Sequence, residues 1–224
     1  QKTIRAAPAE ADYYTQALTE KDTEILEVQA TRQMPGCRAR LGRLKVTTRV
    51  TGYEKRRIRG QDKIGAYPLD LPPQTFETVG LWLEVPEGAA QTVREAGRHF
   101  MGAIHAAEHA AIARLPLFAL CDRHDVGGIS TPFHAQVGGP AIFIYDGTPG
   151  GVGLAERGFE VLEAWLREIA ALLQDCPCET GCPSCVQSPK CGSGNKPLDK
   201  VGALLTIRAL LGTADLSAGT GQPV

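Results

Sequence analysis

Sixteen residues from Cys176 to Cys191 read CPCETGCPSCVQSPKC and hold five of the chain's seven cysteines. Thiolates are the soft ligands that a tetrahedral Zn²⁺ takes, and a C-x2-C pair such as Cys182 and Cys185 can set both sulfurs on one ion. Gly181 and Pro183 supply a tight turn around that pair. Four sulfurs fill the coordination sphere and leave no place for water, so the implied chemistry is a structural staple of one zinc ion. Cys178, Cys182 and Cys185 are three of its ligands. Cys176 and Cys191 compete for the fourth position, and spacing does not separate them. A disulfide knot or free buried thiols are the alternatives, but disulfides suit small secreted chains and no secretory signal is read here.

A second motif lies upstream. His105-Ala-Ala-Glu108-His109 matches H-x-x-E-H, in which two histidines four apart share a helical face and the glutamate serves as a base. A catalytic zinc would need a third ligand, for which Asp122, His124, Asp125 and Glu156 are candidates. Five residues of an Ala-rich helix reach this pattern by chance, so structural histidines are the simpler reading, and their exchange is expected to leave the zinc content unchanged.

A third feature is charge. From Arg38 to Lys63 there are ten basic residues against two acids, in a chain whose net charge is −1. Leu44, Val46, Thr48 and Val50 alternate with Arg43, Lys45, Thr47 and Arg49, a period of two that puts the basic side chains on one face of a strand. A bend at Gly52-Tyr53 is expected to follow, and then Lys55, Arg56, Arg57 and Arg59. Such an array can neutralise phosphates without reading sequence. The competing reading is a solvated face paired with acids from elsewhere in the fold.

The elements that must position these groups follow from pattern. Strands are expected at Glu24–Ala30, over 43–50 and in ETVGLWLEVP, where Trp82 lies opposite Leu81 and Leu83 and is expected to pack rather than stack on a base. Helices are expected over 90–114, 151–174 and 198–212 (LDKVGALLTIRALLG). LFALC (117–121) and AIFIYD (141–146) read as buried strands, with CDRHDVGG as a polar loop. DGTPGGVG offers backbone N–H groups to an anion, yet without a Lys or Ser/Thr it reads as a tight strand-to-helix turn. The fold class is therefore α/β in the broad sense (α+β): a β-rich basic segment (1–88), a mixed helix and strand module with a four-cysteine zinc staple (89–211) and a disordered tail (212–224).

The cysteine stretch with its continuation, CPCETGCPSCVQSPKCGSGNKPLDK, resembles the C-terminal MrfA-type zinc-binding domain of superfamily II DNA helicases, the YprA-like and HrqA/SftH-like group. HAAEHA, CDRHDVGG and IFIYDGTPGGVGLAE extend the likeness over about 100–211, and LGRLKVTTRVTGYEKRR more loosely resembles the preceding segment. The resemblance implies an accessory domain of a 3′–5′ helicase in DNA repair, with ATP hydrolysis in motor domains upstream. It implies DNA, single-stranded by expectation, as partner and the cytoplasm as location. The chain opens without Met and contains no GxxxxGK[ST] loop, which fits a piece with no ATP site and no activity of its own. A metallopeptidase built on HAAEH and a protein-interaction module are the alternatives. A hydrophobic content of 43% without any long apolar run suits a domain that buries a core and spans no membrane.

Overall fold

The alternating octet at 43–50 is the middle of a much longer strand. In the computed structural model, which describes residues 7–8 and 10–213, strand β1 covers Tyr13–Gln33 and β2 covers Arg38–Arg57. They pair antiparallel along their whole lengths, with register shifts at Leu18/Thr19, Ile25/Glu27 and Val28/Ala30 that let so long a ribbon coil. The bend expected at Gly52-Tyr53 is absent: β2 runs on through both residues, and the irregularity there is a bulge opposite Leu18. The alternation itself holds, since Leu44 and Val46 are buried while Arg43 and Arg49 are exposed.

Short β3 (Lys63–Pro68) pairs with the far end of β2, and β4 (Gln74–Glu84) with its near half. Then β6 (Gly139–Asp146) joins β4, and β5 (Val126–His134) closes the order β1-β2-β4-β6-β5. Every pairing is antiparallel, and strands from both sides of residue 88 share this one sheet. The sheet curls until its first strand meets the β5–β6 turn. There Gln136 pairs its side-chain amide with the backbone N–H and C=O of Ile25 (2.7 and 2.9 Å), and His134 Nε2 donates to Thr23 O (2.9 Å). The concave side holds a small core of Leu44, Val46, Trp82, Phe143 and Tyr145; Trp82 stacks on Phe143 at 5.8 Å between ring centroids, so it packs as expected.

Helices cover the other face. The continuous helix expected over 90–114 is two: α1 (Glu87–Glu95) and α2 (Phe100–Arg114). Gly97, at φ +68°, ends the first in the left-handed region that glycine enters without penalty, and His99 caps the second by accepting from Gly102 N at 2.9 Å. The helix expected over 151–174 also divides, into α3 (Leu154–Glu160) and α4 (Leu162–Asp175), and α5 (Lys200–Leu211) follows the cysteines. Leu81, Leu83, Ile142 and Ile144 of the sheet pack on Ile104, Trp165, Ile169 and Ile207 of the helices. Each such fully buried side chain contributes about 1.5–3 kcal/mol.

Two local expectations fail. LFALC is not a strand but a 3-10 turn at Leu115–Leu117 followed by loop, with Leu117 and Leu120 exposed. The strand lies instead within the supposed loop, beginning at Val126. Its glycines disguise it, and they are there for space. A Cβ at Gly127 would stand 2.2 Å from the Tyr145 ring, and one at Gly128 would stand 2.7 Å from Glu108 Oε1. Of the tail expected to be disordered, only Gly212 and Thr213 lie within the described residues. No helix among the described residues is long and apolar enough to cross a membrane.

Candidate metal centre

Helix α4 delivers the chain to Cys176, its C-terminal cap, and the residues that follow turn back so that four sulfurs converge. Cys178 Sγ lies 3.4 Å from Cys185 Sγ and 3.5 Å from Cys176 Sγ; Cys182 Sγ lies 3.6 Å from Cys176 Sγ and 3.7 Å from Cys185 Sγ. Zn–S bonds of about 2.3 Å at tetrahedral angles space sulfurs about 3.8 Å apart, whereas a disulfide needs about 2.0 Å. The four cysteines therefore fit a zinc ion and are unbonded to one another. The turn is the one that Gly181 and Pro183 foretell: Cys185 N–H and Val186 N–H both reach Cys182 O (3.1 Å each), and Cys182 N–H points at Cys185 Sγ (3.3 Å). The Ser184 backbone N–H, ahead of the Cys176 thiol, draws Cys182 down to about 6, while burial pushes Cys185 up to about 12. Cation binding deprotonates all ligands together and so couples the site to pH.

Sequence reasoning missed the group that ties this loop to the rest. Buried Lys200, the first residue of α5, donates from Nζ to Cys176 O and Cys178 O at 2.6 Å each. With no carboxylate partner among the described residues, this lysine satisfies the loop carbonyls and places positive charge beside a site whose four thiolates and one Zn²⁺ sum to −2. Zinc would thus hold the end of α4 against the start of α5.

Cys191 is not with the other four. It stands beside His105 and His109, the three donor atoms lying within 4.8 Å of one another. His105 Nε2 is 3.4 Å from Cys191 Sγ, and the two imidazoles are 4.3 Å apart between centroids. Burial raises the Cys191 pKa, but hydrogen bonds from His105, His109 and Ser193 outweigh it and bring the thiol to about 4. Glu108 accepts from Ser130 Oγ at 2.7 Å and is raised by burial. None of the expected third ligands comes near. Asp122 and His124 pair with each other on an exposed loop at 2.6 Å, Asp125 caps the Asp122 N–H, and Glu156 sits in α3.

DGTPGGVG is a strand-to-helix turn filled by its own carboxylate. Asp146, fully buried at the end of β6, accepts from Val152 N (2.5 Å), Ala155 N (2.7 Å) and Leu154 N (3.2 Å). The Val152, Leu154 and Ala155 N–H groups are thus occupied by this carboxylate.

Most of the basic residues have acidic neighbours. Arg43 meets Glu77 (2.5 Å), Lys45 meets Glu24 (3.0 Å), Arg56 meets Glu54 (2.7 Å) and Arg57 meets Asp12 (3.4 Å). Lys55 lies over the rings of Tyr13 and Tyr67 at 4.7 and 5.2 Å. Among the described residues, Arg49 and Arg59 are exposed and make no ion pair.

An α+β domain whose helices are joined through four convergent thiolates belongs to the class of structural zinc domains. The particular family is the MrfA Zn-binding domain, to which this chain belongs: the family model matches residues 107–186. The chain is 40% identical over 111 residues to the uncharacterized protein MJ1572.1 of Methanocaldococcus jannaschii, covering 48% of this chain and 99% of that protein. It is 31% identical over 179 residues to the uncharacterized ATP-dependent helicase YprA of Bacillus subtilis, covering 79% of this chain and 23% of YprA. Among solved structures, the DUF1998 helicase MrfA bound to DNA superposes with a TM-score of 0.59 at 27% identity, over 90% of this chain and 26% of that one. The chain thus spans about a quarter of the length of these helicases.

Proposed function

We propose that the chain is the C-terminal zinc-binding accessory domain of an ATP-dependent 3′–5′ DNA helicase acting in DNA repair in the cytoplasm. The likeness to a DNA-bound DUF1998 helicase, running through nine-tenths of the chain, carries this reading. ATP hydrolysis resides in motor domains outside the sequence, and those domains and single-stranded DNA are the partners. Zinc, held by Cys176, Cys178, Cys182 and Cys185, fixes the helices of the 89–211 module. The basic segment of 1–88, through Arg43, Lys45, Arg49, Lys55, Arg56, Arg57 and Arg59, meets phosphates. Exposed ion pairs are worth about 0–1 kcal/mol, so an arginine now beside a glutamate can turn to a phosphate at small cost. The test is unwinding and DNA affinity of the parent helicase with and without this domain. Loss of both on deletion is expected; unwinding and affinity equal to those of the intact helicase would overturn the reading.

A further inference from the structure

The histidines of α2 are set up to bind something other than their neighbours. His105 Nδ1 lies 2.8 Å from Pro197 O and His109 Nδ1 lies 2.7 Å from Val186 O. A carbonyl oxygen only accepts, so each Nδ1 carries a proton, and Nε2 is the nitrogen whose lone pair a cation would take in place of the proton shared with Cys191. This backbone anchoring of one ring nitrogen is how a ligating imidazole is held with the other nitrogen aimed at a metal. Placement at i and i+4 on a helix packed against α5 and β5 fixes both rings from one rigid element.

The third donor is held as firmly. Cys191 lies in a loop closed by Asn195, whose side chain pairs with the backbone N–H and C=O of Ser188 (2.8 and 3.0 Å). Lys190 clamps the same loop to the start of β5 by donating to Arg123 O and Val126 O. Asn195 N–H points at Cys191 Sγ from 3.3 Å, the same contact and distance that Cys182 N–H makes to Cys185 Sγ in the four-thiolate centre. Two imidazole nitrogens and one sulfur thus converge, and a cation in place of the protons between them would engage all three at once.

We propose that His105 Nε2, His109 Nε2 and Cys191 Sγ form a second zinc site, separate from the four-thiolate centre. Imidazole and thiolate together select a borderline ion such as Zn²⁺ over the hard cations that take oxygen. Three protein ligands leave one position, and it faces a cleft of about 250 Å³, also lined by Thr19, Lys21, Glu108 and Ser130, that has room for water as the fourth ligand. Both His105 and Cys191 lie outside the residues matched by the family model, so the site is additional to the one that defines the family. A second ion would pin the 188–197 loop to α2, in addition to the structural ion of the four-thiolate centre.

Zinc per chain, measured by elemental analysis after purification without chelator, should be about two, falling to about one in Cys191→Ser and in His105→Ala. A wild-type value of one, or a value of two unchanged by both substitutions, overturns the proposal. Zinc-edge X-ray absorption on the wild-type chain keeps the test independent of how the variants fold. Nitrogen and sulfur together in the first shell support the second site, and sulfur alone overturns it while leaving the four-thiolate zinc standing. The proposal does not rest on the DNA reading.

Discussion

Asp146 shows what one carboxylate does when a turn is built around it. Two of its three backbone donors, Leu154 and Ala155, are buried with it, and hydrogen bonds to a charged acceptor are each worth about 1.5–3 kcal/mol. Asp146→Ala should therefore cost the chain about 3 kcal/mol or more. Urea unfolding measures it, and a loss under about 1 kcal/mol would mean that the N–H groups find other partners. The sequence shows the glycines of this loop but not that its own aspartate fills it, because that depends on where β6 ends. The cysteines differ in the same way. The Cys182–Cys185 pair is readable from local spacing, since both sulfurs come from one turn. The meeting of Cys191 with His105 spans 86 residues and exists only once the Asn195 loop and α2 are in place. Five clustered cysteines and a fixed idea of a four-ligand ion hide a residue whose partners are histidines.

Among the elements, the helices that the zinc loop joins depend on it most. The chain between α4 and α5 carries neither helix nor strand, only turns, and its first part, from Cys176 to Cys185, is held by Lys200 and the four sulfurs. Structural zinc in small modules brings a binding free energy on the order of 10 kcal/mol, which is folding free energy when the site forms only in the folded chain. Cys182→Ser, or a strong chelator, should melt the α4–α5 arrangement, seen as lost helical circular dichroism and a lower thermal midpoint; an unchanged midpoint after verified zinc removal would refute this. Element existence was readable where periodicity was long, as in β2, β4, β6 and α4. It failed where a short signal had two meanings. LFALC has a strand's composition, but Pro116 lacks the N–H a strand would use, while VGGIS looks like a turn until the Tyr145 ring and Glu108 are seen to occupy the missing side-chain space.

Across the whole molecule, the question is whether the charge of β2 belongs to the fold or to a ligand. The structure divides the basic residues into those with acids beside them and those without. Arg43 and Lys45 lie in exposed pairs with Glu77 and Glu24, whereas Arg49 and Arg59 are exposed with no ion pair among the described residues. A phosphate backbone would be met first by the second group, since the first must leave a partner to bind. Each phosphate neutralised on a single strand contributes about −0.7 to the slope of log K against log salt. Replacing Arg49 and Arg59 together by Ala should flatten that slope by about 1.4, and by the same amount for unrelated sequences, because phosphate contacts carry no sequence code. Arg43→Ala with Lys45→Ala should flatten it less. The measurement is a salt titration of single-stranded DNA affinity, made in the parent helicase, where the motor shares the strand. A slope untouched by the Arg49 and Arg59 pair would return the charge of this strand to the fold and to protein partners.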